Sequence, residues 1–206
     1  MLITFEGIEG CGKSTQVGLL YEYLLSKGYG VIRTREPGGT MFGEVLRKAL
    51  LQGDMNVSPL PELLVFIAMR AQHIEEVIMP ALQDRKIVLC DRFTDATYAY
   101  QGYGRGIDLG IIENLNRLVT KGVRPHCTIL LDVSVEVGLK RKALHAPMDR
   151  IEKEALSFHE KIKKAYEKLS KDDPGRFFII DGNSSPESIG DVIRERVTTL
   201  MKDYGI

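Results

Sequence analysis

The run Gly7-Ile8-Glu9-Gly10-Cys11-Gly12-Lys13-Ser14, continued by Thr15, gathers the groups that hold a polyphosphate. Its glycines let successive backbone N–H groups converge on one anion, and a helix opening near Lys13 adds the positive end of its dipole. Lys13 supplies a point charge for the β- and γ-phosphates. The Ser14 hydroxyl suits a magnesium ion bound to them. The spacing is GxxxxGK[ST], and it lies where the motif has mechanical meaning, between a β-rich run and a helical one. Cys11 sits among those N–H groups, which favour a thiolate, and reads either as a reactive thiol or, the preferred reading, as a small loop-filling residue.

Two further runs end in carboxylates, Asp91 and Asp132, and either could hold magnesium through water. Asp91 is preferred because Arg92 follows it: the pair presents a carboxylate toward a metal and a forked guanidinium toward a second phosphate. The NKxD sequence by which guanine switches read their base is missing.

These residues need a scaffold that brings strand ends together. Leu2–Phe5, Val31–Thr34, Ile87–Cys90, Thr128–Leu131 and Phe177–Ile180 are short apolar or β-branched runs, continuous rather than alternating, as in strands covered on both faces. Helical segments are expected over Lys13–Lys27, Phe42–Leu51, Pro61–Asp84, Leu109–Thr120, Val135–Leu144, Ile151–Ser170 and Pro186–Met201. Gly28, Gly53 and Gly122 act as stops, and Ser185 caps the last helix ahead of Pro186. The order predicts a doubly wound α/β domain, 1–206, with its ligands at the carboxyl ends of five parallel strands.

Composition narrows the chemistry. Lys plus Arg number 28 and Asp plus Glu number 28, a net charge of zero, so any anion must be held by a local cluster and no nucleic-acid partner is expected. The start Met1-Leu2-Ile3-Thr4-Phe5-Glu6 lacks a basic lead and no apolar run approaches a membrane span. Three cysteines, Cys11, Cys90 and Cys127, are odd in number and lack CxxC spacing. A cytoplasmic protein with no membrane association is the expectation.

Beyond the phosphate loop, Phe5-Glu6-Gly7, Arg35-Glu36-Pro37-Gly38-Gly39-Thr40, Asp91-Arg92-Phe93, Ala99-Tyr100-Gln101-Gly102 and Asp149-Arg150-Ile151-Glu152 occur in the order seen in thymidylate kinases. The chain resembles that family over nearly its whole length. The resemblance implies a P-loop NTPase fold, three-layer α/β/α, of the nucleotide-monophosphate kinase type with a lid. It implies transfer of the ATP γ-phosphoryl group to dTMP, giving dTDP and ADP in dTTP biosynthesis, with Mg2+ as cofactor and a homodimeric assembly. The monophosphate-binding region would span about 35–75 and the lid about 140–152.

Residue by residue, the resemblance places Phe66 on the face of thymine and Arg70, four residues on along the same helix face, at a pyrimidine carbonyl. Glu9 would accept from the sugar 3′-hydroxyl, Arg35 and Arg92 would flank the acceptor phosphate, and Thr97, Tyr100 and Gln101 would line the base and sugar. Lys13, Asp91, Arg92, Arg141 and Arg150 make up the expected catalytic set, with Ser14 and Asp91 at the metal. Two positions depart from the family pattern. Ala96 stands where serine is common, which makes a kinase for dUMP or dCMP the nearest alternative. His145 stands where one subtype carries a further lid arginine, and Arg141 or Lys142 would compensate. With Gly10 and Cys11 in the loop, the chain resembles the subtype whose transferring arginine comes from the lid.

Overall fold

A computed structural model describes residues 1–52, 55–145 and 147–205. Its centre is a parallel sheet of β1 (Leu2–Glu6), β2 (Val31–Arg35), β3 (Ile87–Asp91), β4 (Cys127–Asp132) and β5 (Phe177–Asp181), in the spatial order β2-β3-β1-β4-β5. Every residue of β1 is buried, as its unbroken apolar run requires, whereas the edge strands β2 and β5 are covered less completely. Register aligns Phe5 and Arg35 with Asp91, so the carboxyl ends of β1, β2 and β3 finish level. Strand order reverses beside β1, and the crevice at such a switch point is where doubly wound sheets take ligands.

The helices are α1 (Lys13–Ser26), α2 (Met41–Leu51), α3 (Pro59–His73), α4 (Met79–Gln83), α5 (Thr94–Thr97), α6 (Leu109–Thr120), α7 (Val135–His145), α8 (Leu156–Asp172) and α9 (Pro186–Asp203). Alternate residues of a strand enter opposite faces. Accordingly Ile3, Phe5, Ile87 and Leu89 pack with Leu20 and Leu24 of α1 and Ile193 and Val197 of α9. Leu2, Val88 and Cys90 pack with Ile74, Ile78 and Ala81 on the other side. Each fully buried aliphatic side chain contributes about 2 kcal/mol of transfer free energy. Caps follow the sequence: Thr40 accepts from the Gly43 N–H at 2.9 Å and Ser185 from the Ser188 N–H at 3.2 Å.

Two expected helices come out differently, and one stretch is helical without having been expected to be. The single helix over Pro61–Asp84 begins two residues earlier and contains a π-helical turn, Ile74–Ile78, before α4. Pro80 has no N–H and its ring clashes with the carbonyl four residues back, so the ladder widens ahead of it. The helix expected from Ile151 begins at Leu156. Asp149 instead closes a separate turn, its carboxylate accepting from the Ile151 and Glu152 N–H groups, both at 2.9 Å. The unexpected stretch is α5 with the π-helical Tyr98–Gly104 that continues it. Gly53 lies outside the described residues, as does the side chain of His145, whose backbone ends α7. Among the described residues, no helix is long and apolar enough to cross a membrane.

Candidate active site

The strand ends open into a cavity of about 690 Å3. At one end lies the loop between β1 and α1. Gly7 adopts φ 134°, and a Cβ there would meet the Leu131 carbonyl at 2.5 Å, so only glycine lets the loop leave the sheet this closely. The Lys13 ammonium donates to the Gly7 and Ile8 carbonyls at 3.1 and 2.7 Å, and Cys11 fills the loop with 1% of its surface exposed. Glu9, Gly10, Gly12, Ser14 and Thr15 line the cavity together with Lys13 and Cys11. Gly7 and Ile8 contribute carbonyls beneath it. Ile8 turns its side chain into the core.

Gly10 faces α7. A Cβ on Gly10 would collide with the backbone of Gly138 in α7, and one on Gly138 with the Glu9 carbonyl, so loop and helix touch through two residues without side chains.

Of the two carboxylate candidates, Asp91 belongs to the cavity and accepts from the Ser14 hydroxyl at 2.5 Å. Asp132 pairs with Lys163 outside it. Arg92 has φ 68°, a left-handed conformation that costs a residue with a Cβ about 1 kcal/mol. From that backbone the guanidinium donates to the Gly7 carbonyl at 2.8 Å, to the Tyr166 hydroxyl at 3.1 Å and to Glu9 Oε1 at 3.1 Å, and it lies over the Tyr100 ring at 4.9 Å.

Glu9 also accepts from the Tyr100 hydroxyl, and its Oε2 lies 3.5 Å from Nδ1 of buried His159. Burial would raise the Glu9 carboxyl, but His159, Arg92, Lys13 and Tyr100 together hold it far below the usual range. Burial likewise disfavours a charged His159, yet the Glu9 carboxylate and the nearby Glu152 and Glu154 backbone raise its pKa. Beneath Arg92, Glu6 accepts from the Phe93 N–H and the Tyr166 hydroxyl, both at 2.7 Å. Burial and neighbouring Asp95 push Glu6 up to about 7, against the pull of Arg92 and those two bonds.

Cations converge where the acceptor phosphate would lie. Arg35 and Arg92 line the cavity, joined by Arg47 of α2, which sequence reasoning missed. Arg47 donates to the Pro37 carbonyl at 2.6 Å. Its pKa is lowered by burial first and by Arg35 next, the mark of a guanidinium among like charges. The available signal was its place one turn after Glu44, the residue that pairs with Arg35 at 2.9 Å.

The far end is walled by Phe66, Arg70, Ala96, Thr97, Tyr100 and Gln101. Arg70 is 3% exposed, and its guanidinium already serves four protein acceptors: Glu36 at 2.7 Å, Thr97 at 2.8 Å, Asn116 at 2.6 Å and the Phe93 carbonyl at 2.9 Å. His73 completes the set, bridging Glu36 and Thr34. Arg70 therefore braces the wall, and a base carbonyl would have to take over one of these bonds.

In the segment 140–152 that the resemblance marks as a lid, Arg141 and Lys142 line the cavity, Arg141 donating to the Gly182 carbonyl at 2.8 Å and Lys142 pairing with Glu152 at 3.1 Å. Arg150 departs from the expectation. Its guanidinium is drawn to buried Glu62 at 2.5 Å and to the Leu50 carbonyl at 3.0 Å, and it is not among the residues lining the cavity. Glu62 is fully buried, and Arg150 shares its carboxylate with Arg105, so that two guanidinium groups and the Gln101 amide fill its acceptor sites. Among the described residues no cluster of three or more His, Cys, Asp or Glu side chains is arranged to hold a metal. Ser14 and Asp91 are hard oxygen ligands of the kind magnesium takes in company with phosphates and water.

Comparison with known proteins supplies the remaining finding. The family model described as thymidylate kinase matches residues 5–193. A thymidylate kinase of Geotalea daltonii is 52% identical, the alignment covering 97% of this chain and 95% of the relative. One of Kosmotoga olearia is 46% identical over 100% and 99%. A crystal structure of thymidylate kinase from Ehrlichia chaffeensis superposes with a TM-score of 0.80 at 38% identity, covering 96% of this chain and 98% of that one.

Proposed function

The chain belongs to the thymidylate kinase family and phosphorylates dTMP with ATP as donor, and we propose the following roles for its residues. ATP phosphates rest in the loop 7–14, with Lys13 on the β- and γ-groups and magnesium on Ser14 and Asp91. When bound, that ion would neutralise charge between donor phosphates. Arg35, Arg47 and Arg92 hold the acceptor phosphate, so two anions can approach in line. Glu9, kept ionised, takes the sugar hydroxyl, and Phe66 and Gln101 face the base.

The observation that carries this reading is one cavity with the glycine loop at one end and the Phe66–Gln101 wall at the other, three arginines lining the space between. Region 35–75 forms the monophosphate side and 140–152 the lid of one domain. Arg141 and Lys142 supply cations to the transferring group, while Arg150 anchors the lid. A cytoplasmic homodimer is part of the proposal. It is supported by exposed apolar side chains on the packed helices α2, α3 and α6, among them Met41, Phe42, Val45, Leu60, Leu64 and Leu118. Arg141→Ala should lower kcat with ATP and dTMP about a hundredfold with little change in nucleotide Kd. Unchanged kcat would remove Arg141 from the transfer step.

A further inference from the structure

We propose that Glu62 is a positioning residue for base selection: as an obligate acceptor it turns the Gln101 amide so that the carbonyl oxygen, and not the NH2 group, faces the nucleobase. The inference rests on the reading that Gln101 faces the base.

Glu62, on α3, is fully buried. Its Oε1 accepts from Gln101 Nε2 at 3.0 Å and from Arg105 Nε at 3.1 Å. Its Oε2 accepts from Arg150 at 2.5 Å and from Arg105 Nη2 at 3.2 Å. Burial alone would raise its pKa, but the bonds from Arg105, Gln101 and Arg150 leave the carboxyl below its ordinary value. An ionised carboxylate has only acceptors, so the amide opposite it has one way round. Gln101 is 2% exposed and lines the cavity. With Nε2 committed to Glu62, Oε1 is the end left for a ligand.

An acceptor at that place matches the N3–H of a pyrimidine imide, as in thymine or uracil. Cytosine carries a lone pair at N3 and would set acceptor against acceptor, leaving a buried group unpaired. Gln101 cannot adapt by flipping, because that would set its own carbonyl oxygen against the Glu62 carboxylate. The same carboxylate binds Arg150 of the lid and Arg105, which pairs with Glu154 beyond it at 2.6 Å. Of the groups that keep Glu62 charged, Arg105 and Arg150 stand outside the cavity lining and Gln101 belongs to it.

The test compares kcat/KM for dUMP and dCMP, which differ only at the imide edge, in the unsubstituted enzyme and in Glu62→Gln. The variant keeps the side-chain shape but can donate as well as accept, freeing Gln101 to turn over. Its preference for dUMP should fall by about tenfold or more. An equal loss on both substrates would mean that Glu62 supports only the fold and would overturn the inference. Gln101→Leu isolates the reading beneath it: an unchanged preference there removes Gln101 from the base site. A lost preference there, beside an unaltered one in Glu62→Gln, defeats the orientation argument alone. Should Glu62→Gln not fold, NMR of the unsubstituted enzyme with dTMP decides. A through-hydrogen-bond coupling between the imide nitrogen and the Gln101 carbonyl carbon is expected, and contact of the base with the Gln101 NH2 protons refutes the proposal.

Discussion

Lys13 finds its carbonyl partners five and six residues away, whereas Arg70 is held by partners 23, 27, 34 and 46 residues distant. The phosphate end of the cavity is a local backbone device, shaped by glycine dihedrals and one helix start. The base end is a tertiary network of charged side chains with almost no water around them. In low dielectric such a network is stable only while every member is satisfied. Damage at the two ends should therefore surface in different measurements.

The largest effect is expected at the base end. Glu36→Ala leaves the Arg70 guanidinium and His73 without their shared partner, and should destabilise the fold by about 3–5 kcal/mol. Thermal unfolding would then drop by about 10 °C for a chain this size. A melting temperature within a degree or two would erase the distinction between the ends. Next comes Lys13→Ala, which should cut kcat about a hundredfold to a thousandfold while costing much less stability than Glu36→Ala, since its partners are neutral backbone carbonyls and no buried charge is left unpaired. A large loss of stability there would show that the loop is held together by its lysine.

The smallest effect sharpens the comparison at the contact between the regions. His159 has its pKa raised in the folded state despite burial, chiefly by Glu9. A base with a raised folded pKa contributes stability that is fully present below its unfolded value of about 6.5 and is lost as pH rises through the folded value. Melting temperature measured across that window should decline in the unsubstituted protein and flatten in His159→Gln. Parallel curves would separate His159 from Glu9.

Local devices are what a sequence displays. Gly7 to Ser14 could be read directly because each residue type is demanded by its neighbour in the chain, and β1, β3 and β4 were legible because strands buried on both faces carry unbroken apolar runs. The helical stretch from Thr94 to Gly104 was not: it carries glycines at 102 and 104 and aromatics at 98, 100 and 103, without a 3.6-residue apolar period. Thr97, Tyr100 and Gln101 in that stretch were identified only through resemblance to a family. Arg150 shows the opposite failure. Its motif was recognisable, but the carboxylate that claims it lies 88 residues away, and no pattern around Arg150 announces that Glu62 is buried.

The touching backbones of Gly10 and Gly138 set a constraint on how this enzyme can change. A guanidinium grafted at position 10 would need the volume that α7 now occupies, so placing a cation at that point of the loop first requires lifting the helix that carries Arg141. Within this packing a side chain at position 10 and α7 in its present place exclude one another.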